Sequence, residues 1–330
     1  MIGVRCGLFW SSMNILFTSV GRRVELMRAF KSSIRKVGGQ VWGTDIDSLA
    51  PAMHVVDNPV FVPRCTDPNY VSALLATCSR FKIRVVLPLI DPDIPILAQH
   101  HDAFRAIGTE LAVVSPPAAE ICQDKWKTTE FFRGLGLRVP KSWLPGERDL
   151  SEIRYPVFVK PRVGSAAAYT FKANDSTELD FFQRYVPDAI IQEFLAGDEI
   201  TTDVVCGRAG EVLTVVSRKR LAVRGGEVVK GVTVNTEPVS TDCYKIARAL
   251  PAVGPITVQC IMVNDLPYYI EINARLGGGV PLAIAAGVNV SDLIVRYFAG
   301  EKIEKVRDYQ CGLQMTRFDD SFFFKNDSEE

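Results

Sequence analysis

Histidine is scarce in this chain: three in 330 residues, His54, His100 and His101. None stands in a serine or cysteine motif, which argues against a nucleophile–histidine mechanism, and all three read as surface or packing residues. The eight cysteines include no Cys-x-x-Cys pair, and Cys206 and Cys260 sit inside apolar runs. Reduced, buried thiols are expected, with neither a disulfide framework nor a zinc site. No apolar run reaches membrane-spanning length. Neither sign of charge is in excess, with 38 Lys+Arg against 38 Asp+Glu. Such balance gives no support to nucleic-acid or acidic-membrane binding, but leaves small anions as ligands. GxGxxG and GxxxxGK[ST] are both missing, so neither a dinucleotide fingerprint nor a P-loop is present. The opening MIGVRCGLFWSS has one arginine and no clear cleavage site, a poor signal peptide. We expect residues 1–12 to be a disordered extension and the protein to be cytoplasmic.

What is present is length, 47% hydrophobic and 23% charged residues, enough for two or three lobes. From Asn14 strand-like and helix-like segments alternate: NILFTSV, a helix near Val24–Val37, QVWGTDI at 40–46, RVVLPLI at 84–90, a helix near Ile94–Ile107 and ELAVVS at 110–115. Alternation of this kind predicts a parallel sheet with right-handed crossovers, whose ligands bind at the carboxyl ends of the strands. The loops there carry Arg22 and Arg23, Asp45 and Asp47, and Asp91 and Asp93. Either arginine suits a carboxylate or phosphate, and Arg23 reads slightly more as an ordinary helix-start residue.

Ser115-Pro116-Pro117 suggests a boundary. A helix from near Ala118 is expected to carry Asp124-Lys125 and to end at Gly134 and Gly136. The run 155–171 delivers Lys160 and then Gly164-Ser165-Ala166-Ala167-Ala168, small residues that let backbone N–H groups approach an anion. In 189–206 two strands flank a short connection, Glu193-Phe194-Leu195, whose backbone and apolar walls suit a planar base; Glu199, Thr201 and Asp203 share one face. Near the end, ITVQCIMV at 256–263 and YYIEINAR at 268–275 read as a hairpin through Asn264-Asp265-Leu266-Pro267. Glu271 and Asn273, two residues apart on a strand, offer hard oxygen ligands on one face, and Gln259 joins them if the loop holds an odd number of residues. Arg275 and the glycines 277–279 follow, a guanidinium and a flexible loop suited to an anion.

Taken in order, Asp124-Lys125, VFVKPRVGSAAA, QEFLAGDE, Gln259 and EINAR resemble the ATP-grasp superfamily, and single-unit relatives of the carbamoyl phosphate synthetase large subunit in particular. The resemblance covers about 115–300. It implies an α/β and α+β protein in which a pre-ATP-grasp parallel-sheet domain (Rossmann-like, 13–115) precedes an ATP-grasp fold (116–305, lid hairpins about 155–192), with a C-terminal segment at 306–330. It implies ATP and Mg²⁺ (or Mn²⁺). Lys125 and Lys160 match phosphate-holding positions and Ser165, Ala166 and Ala167 lie in the lid; Glu193, Phe194 and Leu195 match the adenine-binding connection and Glu199 the ribose acid. Glu271 and Asn273 match the metal ligands, Gln259 the accessory position, and Arg275, catalytic with Lys160, the arginine at the transferred phosphoryl. The chain departs from the family in its alanine-rich lid and in NAR where many members read NPR.

The expected function is an ATP-dependent carboxylate–amine (or carboxylate–thiol) ligase working through an acyl phosphate and releasing ADP and phosphate. Its partners would be small-molecule carboxylates and amines, and a homodimer is left open. The alternatives are an ATP-binding regulatory module without turnover and an ATP-grasp phosphotransferase. The missing GxGxxG disfavours an NAD-dependent oxidoreductase.

Overall fold

The computed structural model describes residues 13–146, 153–164 and 167–324. The first sheet holds β1 (Asn14–Thr18), β2 (Val41–Asp45), β3 (Asn58–Phe61), β4 (Ile83–Pro88) and β5 (Glu110–Leu111), all parallel, in the order β3-β2-β1-β4-β5. Both faces of its central strands are apolar because both are covered. Ile15 and Phe17 face the cluster of Leu26, Met27 and Phe30 from α1 (Val24–Ile34), while Leu16 faces Tyr70 and Leu74 from α2 (Tyr70–Phe81). Strand order reverses between β1 and β4, so the loops holding Ser19 and Asp91 open at the switch point. The helix expected near Ile94–Ile107 is two short ones, α3 (Asp93–Ala98) and α4 (His101–Ala106), and ELAVVS pairs only through β5.

The helix expected to run through Asp124-Lys125 is also two. Pro116 and Pro117 open α5 (Pro116–Gln123), where their missing N–H groups are harmless. Asp124 then turns extended (φ −104°, ψ 113°), and its carboxylate accepts the Trp126 N–H at 2.8 Å to cap α6 (Lys125–Gly134). That cap fixes the direction in which Lys125 leaves the helix start.

Beyond α6 lies an antiparallel sheet of β6 (Ser142–Trp143), β7 (Val157–Pro161), β8 (Phe171–Ala173) and β9 (Ala189–Glu193), in the order β6-β9-β7-β8. Helix α7 (Ser176–Tyr185) packs on it, and Val157, Val159, Leu179 and Ile191 form its own small core. The third sheet is built from β10 (Asp198–Cys206), β11 (Val212–Arg224), β12 (Glu227–Thr233), β13 (Gly254–Val263), β14 (Leu266–Asn273) and β15 (Gln314–Thr316), antiparallel and ordered β14-β13-β10-β11-β12-β15. Helix α8 (Glu237–Ala249) covers its back, and α9 (Val280–Ala285) and α10 (Val290–Phe298) pack against α1. Through β15 the C-terminal segment joins the edge of this sheet. Among the described residues no helix is long and apolar enough to cross a membrane.

Candidate functional site

Which face Glu271 presents is decided by a count. The β13–β14 turn is Asn264-Asp265 alone, both at positive φ (49° and 60°), so Leu266 and Pro267 belong to the strand instead of to the turn expected there. A two-residue turn is even, and by itself would set Gln259 opposite Ile270. A bulge at Ile270 supplies the extra residue: Cys260 pairs with Tyr269, but Gln259 pairs with Glu271 and Thr257 with Asn273. The three side chains therefore share a face although the turn is not odd.

That face floors a cleft of about 380 Å³ between the four-stranded and six-stranded sheets. Lys125, Lys160, Ala167, Glu193, Leu195, Glu199, Gln259, Glu271, Asn273 and Arg275 all line it. Phe158, Leu195, Ile261 and Ile270 give it apolar walls at the end near the Phe194–Gly197 connection. The Phe194 ring turns away, packing on Phe158 (5.4 Å between centroids) beneath Lys172, so only its backbone is offered there. Glu193 is tied back, its carboxylate accepting the Lys141 N–H at 3.1 Å. Ser165 and Ala166 lie outside the described residues.

The charged groups form a chain across the floor. Glu199 meets Arg220 Nη1 at 2.5 Å; with the Gln259 amide nitrogen turned to Glu271 (2.6 Å), the Gln259 oxygen accepts from the same Arg220 nitrogen at 3.2 Å. Glu271 lies 3.9 Å from Lys125 Nζ, which donates to the Gly164 carbonyl at 2.7 Å. Lys160 stands apart: among the described residues its ammonium has no hydrogen-bond or ion-pair partner. Burial pushes its pKa down to about 8, with Lys125 adding to the drop and Glu271 partly opposing it. An uncompensated cation at the back of a cleft is an anion site by construction.

Arg275 leaves the strand end and reaches the other domain. Its Nη2 donates to Asp91 at 2.8 Å and lies 3.4 Å from the Asn273 oxygen, while its buried Nε has no hydrogen-bond partner among the described residues. Asp91 is on the loop after β4, so the switch point of the parallel sheet abuts the end of β14. Arg22 and Arg23 exchange the roles their sequence suggested. Arg22 is exposed and paired with Asp319, whereas Arg23 is buried against Glu227, with its pKa lowered by burial and raised in part by that carboxylate.

The glycines 277–279, expected to be a flexible anion loop, have another cause. Asp203 and Arg218 form a buried ion pair, and a Cβ on Gly279 would stand 2.2 Å from Arg218 Nε, one on Gly278 2.6 Å from Arg23 Nη1. Backbone lies directly on two guanidinium groups, and only glycine permits that approach. The Lys219–Arg224 run belongs to a hairpin turning at Gly225-Gly226 whose cations are paired: Lys219 with Asp198, Arg220 with Glu199, Arg224 with Asp319. Sequence reading missed Arg220 and the Asp91–Arg275 pair. The alternation of Arg218 and Arg220 on the face shared by Asp203, Thr201 and Glu199 was the available signal for the first; nothing local signals the second.

An antiparallel sheet and a small lid sheet closing on a cleft, behind a parallel-sheet domain, define the ATP-grasp class. Residues 15–112 match the family described as PylC-like, N-terminal domain, and residues 185–321 match ATP-grasp in the biosynthetic pathway with Ter operon. The chain carries an ATP-grasp domain behind a PylC-like N-terminal domain. It is 29% identical over 198 residues to 3-methyl-D-ornithine–L-lysine ligase of Methanosarcina acetivorans, covering 58% of this chain and 50% of that one. It is 32% identical over 172 residues to D-alanine–D-alanine ligase of Fusobacterium nucleatum, covering 48% and 58%. The chain thus spans about half the length of these curated relatives. The fold is shared with the biotin carboxylase domain of Hydrogenobacter thermophilus 2-oxoglutarate carboxylase, solved with MgADP and bicarbonate, at TM-score 0.74, 15% identity and coverage of 92% of this chain and 74% of that one.

Proposed function

We propose that this protein is an ATP-dependent carboxylate–amine ligase that activates its acid as an acyl phosphate, with 13–115 and 116–305 as its working domains. The observation that carries the reading is the unpartnered Lys160 ammonium in the same cleft as Lys125, Glu271, Asn273 and Arg275. ATP fits the chemistry of this lining: apolar walls beside the Phe194–Gly197 connection, a carboxylate at Glu199, and two lysines at the other end. Among the described residues no three His, Cys, Asp or Glu side chains gather to hold a metal alone. One carboxylate and two amides suit magnesium arriving with the nucleotide, since that ion keeps waters and substrate phosphates as most of its ligands. Held by Glu271 and Asn273, with Gln259 beside them, it would neutralise charge on the phosphoryl group being transferred.

The chain's own residues supply positioning and fixed charge. Lys160 and Lys125 meet the phosphates from below the lid. Arg275 meets the transferred phosphoryl group or the acyl phosphate, and Asp91 holds its guanidinium from the other domain. No side-chain nucleophile takes part. The amino-acid substrates named for the two ligases make amino acids the first acids and amines to try. We also assign the protein to the cytoplasm, where its seven described free cysteines stay reduced.

The test is product analysis. Amino acids and small carboxylates should be screened for stimulated phosphate release; with the right acid, ADP and phosphate appear together and hydroxylamine traps a hydroxamate. AMP with pyrophosphate would overturn the mechanism.

A further inference from the structure

Arg220 is a buried cation whose resting partner is a group that a nucleotide would claim. Its side chain is 11% exposed. Strand pairing of Ile200 with Lys219 sets it across from Glu199, and its guanidinium is held by Glu199 (2.5 Å), the Gln259 oxygen (3.2 Å) and the Gly226 carbonyl (2.9 Å), leaving Nε buried and without a hydrogen-bond partner among the described residues. Once ribose hydroxyls take Glu199, Arg220 loses part of the only carboxylate paired with it among the described residues. A guanidinium this enclosed is costly to leave unpaired, so it must find another anion. Lys160 and Lys125 line the same cleft and mark where anions are wanted.

We propose that Arg220 is a third phosphate-binding cation, held in reserve by Glu199 and handed to the phosphates when ribose binds. The proposal rests on the reading of the cleft as an ATP site. It makes sugar and phosphate recognition interdependent: adenosine strands Arg220, whereas ATP supplies the anion it needs.

Calorimetric titration of the full chain with adenosine and with ATP, both with Mg²⁺, tests this. Arg220→Gln should weaken ATP about 10- to 150-fold, the range for a hydrogen bond to a charged group. Adenosine should bind unchanged or tighter. The readout is a ratio of two dissociation constants in one preparation, so partial unfolding lowers stoichiometry and not the ratio. Arg220→Ser serves if the glutamine variant does not fold. Equal losses for both ligands would reduce Arg220 to a residue that positions Glu199 and overturn the proposal, as would unchanged ATP affinity. If the unaltered protein binds neither ligand, the nucleotide reading itself falls, and this proposal with it.

Discussion

On the proposed reading of the cleft, Lys160 makes a proton part of nucleotide binding. Burial holds its ammonium near pKa 8 in the empty cleft. A phosphate beside it favours the charged form and raises that value. With a free-state value of about 8, roughly nine-tenths of Lys160 is charged at pH 7 and roughly one-tenth at pH 9. MgATP affinity should therefore fall about tenfold over that interval, about 1.4 kcal/mol, provided the bound-state value exceeds 9. At pH 8 binding should take up about half a proton per nucleotide, and at pH 6 almost none. Titrations in buffers of different ionisation enthalpy measure that uptake, and the difference between the parent and Lys160→Met isolates this lysine. Stability carries the same signature with its own sign. The folded pKa lies below the unfolded value of about 10.4, so between them the unfolded chain binds more protons. The penalty of burying this ammonium is full below pH 8 and gone above pH about 10.4, so Lys160→Met should melt higher than the parent near neutrality while binding MgATP more weakly. Buffer-independent binding enthalpy at pH 8 would refute the reasoning.

Two further outcomes follow from the same cleft. Glu271→Gln removes the one carboxylate of the metal-ligand set; turnover should drop by at least about 10²-fold, a typical loss for one electrostatic group, while nucleotide binding persists, and parental phosphate release would show that the metal is held elsewhere. Asp124→Ala deletes the α6 cap and the Arg162 partner, so urea unfolding should show a loss of about 1–2 kcal/mol, with ATP affinity falling because Lys125 starts that helix; an unchanged midpoint would show that Asp124 contributes neither.

The parallel sheet, the hairpin that carries Gln259, Glu271 and Asn273, and their shared face were legible because each rests on a local period or on family order. The break at Asp124 was not, because apolar periodicity runs on through it; an aspartate capping a new helix leaves that period intact. The glycine run misled for a related reason: three glycines look the same in sequence whether they free a loop or admit two arginines beneath it. Arg23 could not be ranked above Arg22, since what buries it, Glu227 and Gly278, is about 200 or more residues away. Arg220 was within reach, as strand alternation sets Arg218 and Arg220 on the same face as Asp203 and Glu199, but only once β10 and β11 are known to be neighbours.

The bulge at Ile270 is a one-residue reserve in the hairpin. Gln259 and Glu271 stay opposed even if Ile270 is deleted, because Tyr269 and Glu271 then become consecutive partners of Cys260 and Gln259. Loss of one turn residue is absorbed when the bulge straightens, and substitutions at the turn leave the register alone. Grafting this hairpin into another sheet must therefore carry turn length and bulge together.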